Sequence, residues 1–234
     1  MGKRRLMEVP RWKRWLSYLT EVHVESAPSE VNPHLYVSMR NGRYQLSTAN
    51  AIYSYEDLYT NFLYAFQQID FARLPGRDVL LLGLGLGSVP VMLERVFKQD
   101  FNYLAVELDP HVIYLANTYA LSGLSSPVTT ICADAFAYTQ QLDETFALIC
   151  MDIFLDDVIP IAFLTASYLE TLRDLLQPGG VLLYNCLYRN PEDKRDTEAF
   201  YTNIFQEVFP NATSLDVQGN WILVSEGGVV SHTC

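Results

Sequence analysis

The sequence predicts an α/β fold in which a mostly parallel sheet is covered on both faces. Three observations carry this. Short apolar runs recur from residue 79 onward, helix-length amphipathic stretches separate them, and a closing pair of strands joined by a tight turn ends the alternation.

The apolar runs occupy 79–84, 103–108, 128–132, 146–153 and 181–185. Each has the length of a strand, and each is too continuous in apolar character to have one face in water. Helices are expected at 88–98, 110–121, 134–141, 160–176 and 191–208. Asp109-Pro110 supplies a capping carboxylate before a proline at the first helical position. Gln177-Pro178-Gly179-Gly180 and Phe209-Pro210-Asn211 are stop signals. The runs 213–217 and 221–225 flank Gln218-Gly219-Asn220 and read as an antiparallel hairpin. Five parallel strands closed by a terminal antiparallel hairpin is the sheet of the class I methyltransferase (Rossmann-like) fold, ahead of the two-halved dinucleotide fold.

Upstream, 35–39 and 43–46 flank Asn41-Gly42, a strong hairpin signal, and helical periodicity follows over 55–70. The chain thus divides into a basic N-terminal segment (1–30), a small β-hairpin appendage (31–53) and the core (54–234).

Half the residues are hydrophobic and 18% are charged, enough for a sizeable core. The net charge of -11 argues against nucleic acid as a partner and is compatible with a cationic one. The charge is uneven. Lys3, Arg4, Arg5, Arg11, Lys13 and Arg14 face only Glu8 in the first twenty residues, beside Trp12, Trp15, Leu16 and Leu19 at helical spacing. The expectation is a terminal helix docked on its own domain or on a neighbouring subunit. An anionic membrane surface or an acidic partner is the other reading. The run 79–93 is broken by three glycines and Pro90, so no transmembrane segment is expected. The scattered cysteines (Cys132, Cys150, Cys186, Cys234) and histidines (His23, His34, His111, His232) offer no metal-ligand spacing. The first three cysteines lie in or beside apolar runs, as small core residues do. A reduced, cytoplasmic setting is the default.

The chemistry lies at the strand ends. Gly83-Leu84-Gly85-Leu86-Gly87 follows the first core strand and opens a helix. Residues without Cβ allow a sharp turn and close approach to a ligand, and the helix N-terminus offers free N–H groups. This G-x-G-x-G spacing differs from the G-x-G-x-x-G of pyrophosphate sites, and so favours a nucleoside carrying an amino acid. Glu107 ends the second strand, where a carboxylate can accept both ribose hydroxyls. Asp134 ends the third, where it can accept from an adenine amine and cap the next helix. Asp152 ends the fourth, in the crevice where a general base should stand.

Together these positions resemble the spermidine/spermine synthase family, aminopropyltransferases built on the methyltransferase fold; the likeness covers roughly 35–187. Leu82-Gly83-Leu84-Gly85-Leu86-Gly87-Ser88 stands at the family's glycine loop, Val106–Asp109 at its ribose acid, Ala133–Phe136 at its adenine-side acid, and Met151–Phe154 at its catalytic aspartate. The resemblance implies that Gly83, Gly85, Gly87, Glu107, Asp134 and Gln45 bind S-adenosylmethionine or its decarboxylated form. It also implies that Asp152 and Tyr55 serve catalysis, Tyr55 in the gatekeeping segment over the pocket. Two departures stand out. Leu86 replaces an acid that helps hold the cofactor's amino end. Asp152-Ile153-Phe154-Leu155-Asp156-Asp157 replaces Asp-Ser-Ser-Asp-Pro, so the second acid is missing or displaced to Asp156.

The expectation is therefore a cofactor-dependent transferase moving a methyl group to a small, amine-type acceptor. Aminopropyl transfer is the alternative, and a non-catalytic cofactor-binding protein the third. Asp156, Asp157 and Glu56 are expected as a cation-friendly rim, with Tyr184 and Asn185 near the acceptor. A homodimer is the default symmetric assembly.

Overall fold

Chain order builds two sheets. The computed structural model describes residues 9–32, 34–48, 52–155 and 158–231. A short helix, α1 (Arg11–Leu16), leads into β1 (Val22–Ser26), β2 (Tyr36–Arg40), β3 (Arg43–Ser47) and β4 (Ile52–Ser54), an antiparallel sheet in that order. Asn41 and Gly42, joining β2 to β3, have φ of 52° and 73°, the left-handed pair that a two-residue hairpin requires. The appendage is thus larger than the expected hairpin, and β1 comes from the segment assigned to the basic head. Val22 and Val24 alternate with polar residues; Val22 is buried and Val24 packs against the cluster beneath. Among the described residues, helix α1 packs only lightly on its own domain. None of its residues is buried, and Trp12 and Trp15 are 63% and 69% exposed. The chain is anchored just after it, where Ser17 accepts from the Asn41 and Gly42 amides.

A 3-10 turn at Glu56–Leu58 and α2 (Thr60–Phe66) fill the expected helical stretch 55–70 only in part. Then follow β5 (Asp78–Leu82), α3 (Ser88–Arg95), β6 (Asn102–Glu107), α4 (Pro110–Tyr119), β7 (Val128–Cys132), α5 (Ala135–Thr139), β8 (Phe146–Met151), α6 (Ala166–Asp174), β9 (Leu176–Leu187), α7 (Pro191–Phe200), β10 (Thr213–Asp216) and β11 (Asn220–Val224). The seven strands lie in the order β10-β11-β9-β8-β5-β6-β7. Strands β5 to β9 pair in parallel, and the closing hairpin pairs antiparallel through β11 on β9. Along β5, Val79 and Leu81 enter one buried cluster and Leu80 and Leu82 the other. Both faces are covered, which is why the run shows no polar alternation. Cys150 and Cys186 are buried as expected, whereas Cys132, on edge strand β7, is exposed.

A third cluster joins the small sheet to the core, with Leu35, Val37 and Leu46 packed against Leu86, Val91, Val112 and Leu115. The small sheet therefore sits on α3 and α4, the helices that follow the glycine loop and Glu107. From β5 the chain order runs outward to β6 on one side and to β8 on the other. That reversal opens a crevice at the carboxyl ends of these strands. Among the described residues, no helix is long and apolar enough to cross a membrane, and no group of histidines, cysteines and acids could hold a metal.

Candidate active site

At the crevice the chain turns on Gly83. Its amide donates to the Val106 carbonyl oxygen (3.0 Å), and the Asp152 amide donates to the Leu82 carbonyl oxygen (2.8 Å), so the ends of β5, β6 and β8 are tied together. Gly83 has φ of 88°, and a Cβ there would overlap the Asp152 carbonyl oxygen. Glycine is what lets the strand bearing the candidate base pass this close to the loop. Gly85 lines the cavity beside it.

Glu107 ends β6 half-buried. One carboxylate oxygen accepts from the Leu84 amide and the other from the Asp109 amide, each at 3.1 Å. Burial pushes its carboxyl above the ordinary range, partly offset by the amides of Asp109, Leu84 and Gly85. Asp109, two residues on, is fully buried and caps α4 through the His111 amide (2.8 Å). Burial alone would raise its pKa. Hydrogen bonds from Ser29, Asn32 and the His111 amide instead bring it below the usual value. Through those two side chains the 29–32 segment is strapped beside the crevice, and Val31 and Asn32 line it. Asp134 is exposed at the end of β7, where it lines the cavity and caps α5 through the Ala137 amide (2.8 Å).

Asp152 is the centre of a hydrogen-bonded chain. Its Oδ1 accepts from Asn185 Nδ2 (2.8 Å) and from the Tyr59 hydroxyl (3.3 Å), and Asn185 Oδ1 accepts from Asn220 Nδ2 (2.8 Å). Burial pushes the Asp152 carboxyl up to about 6; the bonds from Asn185 and Tyr59 oppose this, and the nearby Glu107 charge adds to it. Burial, then the Asp152 charge, raises the Tyr59 phenol.

These side chains share one cavity of about 1030 Å³, at the upper end of the range for small-molecule sites. Gly83, Gly85, Glu107, Asp134 and Asp152 all line it. Gly87 does not: a Cβ there would lie 2.6 Å from Leu121 Cδ2, so its part is to turn the chain into α3 and admit Leu121. Gln45 is buried within the small sheet, its Nε2 on Ser47 Oγ (2.9 Å) and its Oε1 unpartnered among the described residues. Tyr55 is not brought to Asp152. Its hydroxyl donates to the Arg40 carbonyl oxygen (3.1 Å) on the outer hairpin, and its amide donates to Ser88 Oγ (3.1 Å).

Tyr59 stands where Tyr55 was expected, because the 3-10 turn between them rotates the later tyrosine inward. The tyrosine-rich stretch 53–64 was the only sequence signal for it. Asn61, Asn220 and Asn32 carried no signal. Glu56 is not on the rim, since its carboxylate accepts from the Tyr44 amide (2.7 Å). Tyr184 is buried and donates to the Phe163 carbonyl oxygen (3.0 Å), while Asn185 reaches Asp152. Asp156 and Asp157, with residues 1–8 of the basic head, lie outside the described residues.

No family model matches the chain. It is 29% identical over 108 residues to a probable polyamine aminopropyl transferase of Bifidobacterium longum, covering 46% of this chain and 24% of the relative. It is 28% identical over 150 residues to the polyamine aminopropyltransferase of Vibrio vulnificus (63% and 49%). Against the eEF1A lysine and N-terminal methyltransferase of Xenopus laevis it is 26% identical over 159 residues (62% and 22%). The chain thus spans half or less of the length of the curated relatives it matches. Among solved structures, a probable spermidine synthase from Corynebacterium glutamicum superposes with a TM-score of 0.69 at 18% identity, covering 86% of this chain and 79% of the other. Human methyltransferase-like protein 13 in complex with SAH superposes with a TM-score of 0.55 at 24% identity (69% and 78%). The sheet order and these likenesses agree on the fold: the chain has the class I methyltransferase fold, and its sequence is similar to those of polyamine aminopropyltransferases.

Proposed function

We propose that the chain binds an S-adenosylmethionine-type cofactor and transfers its methyl group to an amine. The observation that carries this reading is the convergence of Glu107, Asp134 and Asp152 with Gly83 and Gly85 on one cavity. The residues present fit the nucleoside. Glu107 keeps acceptor capacity for ribose hydroxyls beyond its two amide bonds, and Asp134 is exposed for an adenine amine. When bound, the cofactor would supply an electrophilic carbon on a positively charged sulfur, which would keep the electron pair of the carbon–sulfur bond on transfer.

The protein's part is positioning and proton handling. An acceptor ammonium is attracted to Asp152, which is already oriented by Asn185 and Tyr59. The carboxylate takes the proton that must leave nitrogen before or as its lone pair forms the new bond to carbon. A carboxyl near pKa 6 is a better proton acceptor at neutral pH than an ordinary aspartate. Leu86, buried against Leu35, Val37 and Leu46, leaves the loop with no acid for a lone ammonium, which favours the carboxylated cofactor over the decarboxylated one. Aminopropyl transfer is the second reading, supported by the names of the relatives.

Calorimetric titration with both cofactors, followed by turnover against an amine library, tests the proposal. Tighter binding of the decarboxylated form would reverse the order of the two readings. Turnover by Asp152→Asn equal to wild type, at unchanged cofactor affinity, would remove the base. A homodimer and a cytoplasmic setting belong to the same proposal. The exposed α1 face supports the first and the free Cys132, Cys150 and Cys186 the second; sedimentation would decide the dimer.

A further inference from the structure

The start of α4 carries a second set of bonds besides its cap. Asp109 is fully buried, and its Oδ2 accepts from the Ser29 hydroxyl and from Asn32 Nδ2 (2.6 Å), while Oδ1 takes the His111 amide. Ser29 Oγ in turn accepts from the amides of Val31 (3.1 Å) and Asn32 (2.8 Å). The segment 29–32 is therefore a closed turn with its polar face on Asp109, and not a loose connection.

Those bonds decide which way the Asn32 amide faces. An ionised carboxylate has no hydrogen to give, and Asp109 stays ionised because its hydrogen bonds outweigh the effect of burial. The NH2 end of Asn32 must then point at Asp109, and Oδ1 must point away from it. That oxygen has no hydrogen-bond partner among the described residues. Asn32 is only 8% exposed, and it lines the cavity beside Glu107, Leu108 and Val112. A donor for Oδ1 must come from whatever fills the cavity.

Glu107 identifies that donor. Asp109, which holds Asn32, follows Glu107 by two residues, so both side chains serve the same end of β6. Each Glu107 oxygen already accepts one backbone amide. A ribose brings two hydroxyl protons to this point, and each needs an acceptor.

We infer that Asn32 is a second ribose-binding residue, its Oδ1 accepting one hydroxyl of the pair that Glu107 receives, with Asp109 and Ser29 as positioning residues. This rests on the cofactor reading above and adds to that site a residue from outside the parallel sheet.

Calorimetry on the full-length chain tests it with S-adenosylhomocysteine and the two analogues that lack one or the other ribose hydroxyl. Wild type should bind each analogue about 3- to 10-fold more weakly than the parent. Asn32→Ala should bind the parent more weakly by about the same factor, and should lose nothing further with one of the analogues. The other analogue should keep its full loss, because its missing hydroxyl belongs to Glu107. Ser29→Ala loosens the turn but spares Asn32, and should discriminate as wild type does. Three results would each overturn the inference while leaving cofactor binding intact: equal affinity of wild type for all three ligands, further losses with both analogues in Asn32→Ala, or discrimination lost in Ser29→Ala. Failure of wild type to bind S-adenosylhomocysteine at all would sink the cofactor reading as well.

Discussion

Replacing Asp152 by asparagine removes a charge that the fold holds at a cost. The carboxyl lies beside Asn185 and Tyr59, and burial lifts it from the ordinary aspartate value near 4 to about 6. With the folded pKa raised, the native state binds a proton more tightly than the unfolded chain does. The stability this group contributes is therefore fully present below pH 4, is lost as pH rises from about 4 to about 6, and amounts to about 3 kcal/mol across that window. Asparagine keeps an oxygen for the Asn185 and Tyr59 donors, and its amide can face the cavity that Asp152 lines. Asp152→Asn should thus stabilise the chain by about 1–3 kcal/mol at pH 8, a Tm gain of about 2–12 °C for a chain of this size, and by almost nothing at pH 4. Turnover should fall by a factor of about 100 or more, as loss of a general base does. Thermal melts of both proteins at the two pH values measure this. A variant that is less stable than wild type at pH 8, or equally shifted at both pH values, would refute the account of Asp152 as a charge held against burial.

Four further outcomes follow from the same geometry. Tyr59→Phe removes a donor that lowers the Asp152 pKa, so the acid limb of kcat/KM, expected near pH 6, should move to higher pH; an unmoved limb would separate Tyr59 from the base. Glu107→Gln should weaken cofactor binding about 10- to 100-fold in calorimetry, the worth of charge-assisted hydrogen bonds to a buried site; unchanged affinity would remove Glu107 from the nucleoside site. Gly83→Ala should cost more stability than Gly179→Ala. Both have φ near 85°, but a Cβ at Gly179 meets nothing within 4 Å whereas at Gly83 it meets the Asp152 carbonyl oxygen; equal losses in urea titrations would deny the close approach. Tyr55→Phe should keep turnover within about twofold and cost at most about 1 kcal/mol, since its hydroxyl serves only the outer hairpin.

The parallel sheet, its closing hairpin, the Asn41-Gly42 turn and four strand-end residues (Gly83, Glu107, Asp134 and Asp152) were legible because each is set by local chemistry. An apolar run buried on both faces, a residue without Cβ at a positive φ, and a capping carboxylate all leave their mark within a few positions. Strand β1 was legible in principle, as Val22 and Val24 alternate with polar residues, but five residues are too few to outweigh the basic stretch before them. Helix α1 shows the reverse: its spacing is amphipathic, yet the described residues leave Trp12 and Trp15 largely exposed.

What the sequence by itself determined is thus the fold class and the strand ends that line the cavity, because in a parallel sheet every strand points its carboxyl end to the same edge. Which tyrosine faces Asp152, which asparagines hold it, and which apolar side chains wall its cavity were decided only by tertiary structure. Tyr59 and Tyr55 differ by four residues and by the rotation of one 3-10 turn. Asn185 and Asn220 are brought together by the antiparallel pairing of β9 with β11. No local pattern encodes such contacts, because they exist only once distant strands share a register.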